Sequence, residues 1–243
     1  MSDDSYQGFG DKALPFLKAL GFHQSREWFN ENRDLYESEV NEPRYRLVDD
    51  FAVRLKEANL PLTCSRKTST FRINRDVRFA KDKSPFNTHV SAVITRTGNK
   101  HDNGMLYIHI KPDNCFIGVG FYQLDGTEMR AFREAMISRS EAFFGALKPL
   151  ETIGYGWMEQ DLLKRLPRGF ETEDPKLAHA LRVRSVAFQR SFGEERLKGT
   201  LLLDDLMELA QAAQPLLDFG WRIIDPIRAA RKAEADSKAE TKQ

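Results

Sequence analysis

The sequence predicts an α+β fold: an antiparallel sheet of about four strands, roughly residues 69–124, packed between an N-terminal helical layer and C-terminal helices. Three observations predict it. Apolar residues recur at helical spacing through residues 12–58. Between 69 and 124 the apolar period shortens to two, and the connections become brief and rich in Gly, Pro, Asn and Asp. Helical spacing then returns from Thr127 onward. Short turns favour antiparallel pairing, because a parallel pair needs a crossover of a dozen residues or more.

Each element has its own signal. Leu14, Phe16, Leu17 and Leu20 predict a first helix over 12–20 with Gly21 as its stop. Ser25 is the natural N-cap of a second helix, whose buried stripe is Trp28, Phe29, Asn32, Leu35 and Tyr36. Pro43 suits the first turn of a third helix that reaches about Ala58. A long strand is expected over Thr70–Phe79, with Phe71, Ile73, Val77 and Phe79 on one face and Arg72, Asn74, Asp76 and Arg78 on the other. Strands are also expected over His89–Thr97, Met105–Lys111 and Cys115–Leu124. Then come helices over Thr127–Leu147, Met158–Leu166, Pro175–Leu181 and Leu201–Ala230, the last interrupted near Pro215 and Pro226. Arg182–Phe192 fits either strand or loop. The domain is expected to span 11–230, with flexible termini at 1–10 and 231–243.

Composition narrows the function classes. A net charge of +1 speaks against a general nucleic-acid or membrane binder. The N-terminus lacks the basic and apolar regions of a signal peptide, and no apolar run is long enough to span a membrane. Cys64 and Cys115 are too few for a disulfide framework. A soluble cytoplasmic protein is therefore expected. Charge is nonetheless uneven: Arg66, Lys67, Arg72, Arg75, Arg78, Lys81 and Lys83 face only Asp76 and Asp82, a local excess of five that leaves minus four for the remainder.

That basic island is the candidate site. Arginine forks match phosphate or carboxylate oxygens, and lysine adds a point charge. Arg72, Arg78, Lys81 and Lys83 are the candidate anion-binding residues, with Lys111 as an additional cation. Tyr107 and His109 on the neighbouring strand are the candidate catalytic pair, with nearby cations keeping the imidazole neutral at pH 7. Asp76 and its neighbours equally suit a structural ion-pair network, in which exposed pairs contribute only ~0–1 kcal/mol each. Arg75 shares the parity of the apolar set and must snorkel to an open edge, sit at a bulge that resets the register, or meet a carboxylate, for which Glu27 or Glu31 of the helical layer is the expected partner. Gly118 and Gly120 open a groove or permit close packing, with packing favoured. His89, His101 and His109 lack metal-ligand spacing, and no glycine pattern fits a dinucleotide or phosphate loop, so neither metal nor cofactor is expected.

Four segments carry a family resemblance: Arg26-Glu-Trp-Phe29; Phe71 through Phe86; Tyr107-Ile-His-Ile-Lys-Pro112 with Gly118-Val-Gly-Phe-Tyr122; and Leu166-Pro-Arg-Gly-Phe170. Together they resemble the domain of unknown function family numbered 2461, a group of bacterial and fungal proteins, over roughly residues 11–225. Phe86 stands where that family often has Tyr. The resemblance implies a soluble, single-domain α+β protein and brings no catalytic residues with it. The leading expectation is a protein that binds a small anionic ligand, with or without turnover. A nucleic-acid-binding module and a scaffold that uses the N-terminal helices or the tail are the alternatives.

Overall fold

The structure, a computed structural model, describes residues 5–159 and 162–240. It is an α+β fold with a five-stranded antiparallel sheet in the order β1-β2-β3-β5-β4. The strands are β1 (Val90–Thr95), β2 (Met105–Ile110), β3 (Phe116–Phe121), β4 (Gly156–Trp157) and β5 (Val186–Ser191). Phe192 donates to the carbonyl of Cys115 while Gly120 lies against Val186, so β3 and β5 run in opposite directions. Gly156 pairs with Gln189 and Trp157 with Phe188. The sheet thus has one strand more than expected, and two strands lie beyond residue 124. The ambiguous stretch 182–192 supplies β5.

The expected strand Thr70–Phe79 does not form. Single bridges remain at Thr70 with Ala92 and Asn74 with Phe86. Asp76 accepts from the backbone of Arg78 at 3.2 Å and Asp82 from that of Ser84 at 2.9 Å. Such local side-chain bonds offer the backbone a turn in place of a ladder, and here they overrule the period-two pattern. Phe71 and Phe79 are consequently exposed, while Ile73 is buried.

Two compact units divide the chain. The first comprises Met1–Asp102, Leu106–Gly118 and Arg190–Gln211. It contains helices α1 (Ala13–Phe22), α2 (Arg26–Glu31), α3 (Arg33–Tyr36), α4 (Glu42–Glu57) and α5 (Arg66–Ser69), with a π-helical turn over Glu37–Asn41. Ser25 caps α2 as expected, accepting from the Trp28 amide at 3.1 Å. Helix α1 passes through Gly21 and stops one residue later. Phe16, Trp28, Phe29 and Tyr36 form an aromatic cluster with centroid separations of 5.3–6.3 Å, and Phe86 joins it by stacking on Phe29 at 4.5 Å. Of the residues expected to be loose at the N-terminus, 1–4 lie outside the described residues, whereas Tyr6 and Phe9 are buried.

The second unit comprises Asn103–Met105, Val119–Gln189 and Ala212–Gln243. Its helices include α6 (Gly126–Ser138), α7 (Ser140–Thr152) and α8 (Pro175–Arg182), so the single helix expected over 127–147 is two. Asp125 and Glu128 form a capping box at the start of α6. In place of a helix over 158–166, Leu162 bridges to Val183, and residues 160 and 161 lie outside the described residues. Helix α9 (Leu201–Ala212) belongs to the first unit and α10 (Gln214–Glu240) to the second, the expected interruption falling before Pro215. Pro226 sits inside α10 without ending it. The helix also continues through the stretch expected to be flexible, where Arg231 pairs with Asp125; residues 241–243 lie outside the described residues. No helix among the described residues is long and apolar enough to cross a membrane.

Candidate functional site

Residues 70–89 form an irregular hairpin. Its arms meet where Arg75 donates to the Pro85 carbonyl at 2.8 Å and Asn87 to the Ile73 carbonyl at 2.7 Å. Ile73 and Phe86 anchor these arms in the core. Beyond them lies a tip of residues 76–84, rich in charge and tied mainly to itself. The Arg78 fork grips Asp76 with Nε–Oδ1 at 3.0 Å and Nη2–Oδ2 at 2.7 Å. Arg75 pairs with Asp82 at 2.5 Å, so its partner comes from its own hairpin and is neither Glu27 nor Glu31. Lys83 Nζ donates to the carbonyl of Val77 at 3.0 Å. Hydrogen bonding to Arg78 holds the Asp76 carboxyl below the usual carboxylate range, and bonding to Arg75 and then Ser84 does the same for Asp82. Arg72 and Lys81 remain exposed without an ion pair among the described residues. Phe79 stands at the apex, 95% exposed.

A second set of candidate residues lies on β2, whose burial alternates as the sequence predicts: Leu106, Ile108 and Ile110 inward, Met105, Tyr107 and His109 half-buried. His109 lies between His89, just before β1, and Phe116 on β3, with ring centroids 4.5 and 4.9 Å away. These spacings match the separation of neighbouring strands, about 4.8 Å. The three rings therefore form a cross-strand ladder, a contact that period-two reading of single strands does not reveal. Tyr107 Oη lies 3.3 Å from His109 Nδ1. Burial, followed by His89 and Lys111, pulls the His109 imidazole down to about 4. Burial and Lys111 lower His89 as well. Both rings are neutral at pH 7, so the pair offers a hydrogen-bond donor and acceptor edge. No group of three metal-ligating side chains forms a metal-sized cluster among the described residues.

The hairpin tip and the β2 ladder are thus held by different elements. Arg75, Asp76, Arg78 and Lys83 come together in the tip, and Tyr107, His109 and Lys111 come together around β2. Two further cations had escaped the sequence reading. Arg44 of α4 is buried, 4% exposed, and donates to the Phe71 carbonyl at 2.8 Å. Lys100, in the turn between β1 and β2, donates to the Thr70 carbonyl. The helical stripe and the Gly-Asn-Lys turn gave no sign that these residues would converge on one stretch of backbone. Gly120 supports the packing reading: with φ at +139°, a Cβ there would fall 2.1 Å from the Val186 carbonyl oxygen.

The family model described as "Conserved hypothetical protein (DUF2461)" matches residues 12–219. The chain belongs to this family. The match includes the hairpin, the β2 ladder and both additional cations, and the family description assigns none of them a role. No curated protein and no solved structure matches the chain.

Proposed function

We propose that the protein binds a small anionic ligand, bearing a phosphate or a carboxylate, on the basic surface around residues 66–83. The supporting observation is the charge left after local pairing: Asp76 and Asp82 engage Arg78 and Arg75, while Arg72 and Lys81 reach solvent without a carboxylate of their own among the described residues. In this reading Arg72, Arg78, Lys81 and Lys83 hold the anion, Arg78 by releasing Asp76, and Lys111 adds a cation. Tyr107 and His109 orient the ligand or exchange a proton with it, and turnover does not follow from binding alone. A cytoplasmic setting, with Cys64 and Cys115 as free thiols, fits the same reading.

Thermal unfolding with added phosphate, nucleotides and sugar phosphates tests it. A ligand at one hundred times its Kd stabilises the folded state by about 2.7 kcal/mol. For a chain of this size that raises Tm by roughly 5–11 °C. If no anion shifts Tm at millimolar concentration, the reading fails.

A further inference from the structure

We infer that the anion receptor is a three-cation site formed by Arg44, Arg72 and Lys100, suited to the doubly charged phosphate of inorganic phosphate or a phosphate monoester. This rests on the small-anion reading above, keeps Arg72 from it, and moves the anion from the hairpin tip to the hairpin base. Arg44 Nη1 reaches the carbonyl of Phe71, Lys100 Nζ reaches the carbonyl of Thr70, and Arg72 is the next residue along. Two elements distant in sequence therefore place cations on successive backbone carbonyls. Lys100 also lies 4.9 Å from the centre of the Phe71 ring.

Among the described residues the three charges stand without a direct counterion. Arg44 meets Phe71 O, Asn41 Oδ1 and the face of Tyr45, and its buried Nε has no acceptor among the described residues. Surrounding acids are engaged elsewhere. Glu37 accepts from Asn41, Glu42 pairs with Arg46 and Arg66, Asp49 pairs with Arg66, and Asp76 pairs with Arg78. Asp76 lends Arg72 only part of its field. The mutual repulsion is felt at Lys100, whose ammonium is pulled below its ordinary range by burial, then by Arg44 and Arg72.

A purely structural role explains this arrangement poorly. A backbone carbonyl can be satisfied by a neutral amide, and a staple built from neutral donors would avoid the repulsion. A bound dianion relieves it. Arg72 and half-buried Lys100 reach solvent and make the direct contacts, one as a planar fork and one as a point charge. Arg44 stands behind them as a fixed buried charge. Three positive charges exceed what a monocarboxylate can neutralise, which favours phosphate.

Isothermal titration at constant ionic strength, with inorganic phosphate, glycerol 3-phosphate and acetate as probes, tests the assignment on the full chain. We expect both phosphates to bind more tightly than acetate. Arg72→Ala and Lys100→Met, each verified as folded by circular dichroism, should weaken phosphate at least tenfold. Tighter binding of glycerol 3-phosphate than of inorganic phosphate identifies a phosphorylated small molecule as the source, and the reverse order identifies the free ion. If both variants bind phosphate like the wild type while Arg78→Ala or Lys81→Ala abolishes binding, the anion sits on the hairpin tip. The three-cation site is then wrong and the broader reading survives. Absence of binding to the wild type defeats both.

Discussion

His109 illustrates how a side chain's surroundings set its chemistry. A free imidazole titrates near 6.5. In the ladder, burial is the largest influence, and His89 and Lys111 act in the same direction, leaving His109 at about 4. A proton-resolved NMR titration should place its midpoint near that value and find His89 below the ordinary range too. Replacing Lys111 with Met removes a cation that opposes both protonations, so both midpoints should rise; unchanged midpoints would show that Lys111 does not act on the pair. The shift also predicts how stability depends on pH. Between about 4 and 6.5 the unfolded chain binds a proton at His109 that the folded chain refuses, so stability falls as pH drops through this window. The full effect, reached below pH 4, is at most about 3 kcal/mol and is reduced by solvent screening at this half-buried ring. Above pH 6.5 neither state is protonated and the effect vanishes. Burial of the ring itself is what makes it a neutral partner for Tyr107 and unfit to serve as a resting cation.

At the scale of elements, legibility follows the range of the forces that decide each one. Helices α2 and α4 were readable because Ser25 and Pro43 act within one turn of themselves and apolar stripes mark the buried faces. Strand β2 was readable because its alternation survives in its burial. The 70–89 hairpin was not, because Asp76 and Asp82 bend the backbone locally in a segment whose spacing alone predicts a strand. The candidate site was legible in part for the same reason. Its excess charge can be counted in the sequence, but the pairing of Arg75 with Asp82 and the arrival of Arg44 and Lys100 are tertiary facts. The glycine on β3 gives a sharp test of the strand packing. Gly120 adopts a φ of +139°, where a side chain is strained, and the missing Cβ would meet the backbone of β5 at 2.1 Å. Backbone cannot yield as a flexible side chain can. Gly120→Ala should therefore cost about 3 kcal/mol or more in chemical denaturation, or prevent folding. A loss below about 1 kcal/mol would mean that β3 and β5 do not approach so closely.

Across the whole chain, charge distribution separates a pocket for one phosphate from a track for many. The segment 66–83 carries an excess of five positive charges and the remainder a net of minus four, so a polyanion extending beyond the island meets repulsion. The feature that favours a strand is Phe79, 95% exposed with the Arg78 guanidinium 5.9 Å from its ring centre, since a base could stack on such an aromatic. The two ligands respond differently to salt. A single strand contacting Z cations loses affinity with a slope of about −0.7Z in log K against log salt. With Arg72, Lys81, Lys83 and Lys100 as the solvent-reaching cations of the hairpin and its base that lack a paired carboxylate among the described residues, Z is about four and the slope no steeper than about −3. Inorganic phosphate, a single dianion, should show a shallower response, and a short thymidine oligonucleotide should gain little over it. Phe79→Ala then decides the matter. It should leave phosphate affinity unchanged, because the ring lies at the tip and the three-cation site lies at the base of the hairpin. For an oligonucleotide seated on the tip, loss of the ring would remove about 1–3 kcal/mol of stacking. A slope well beyond about −3, together with that loss, would make a nucleic-acid strand the ligand and reduce the phosphate site to one of its contacts.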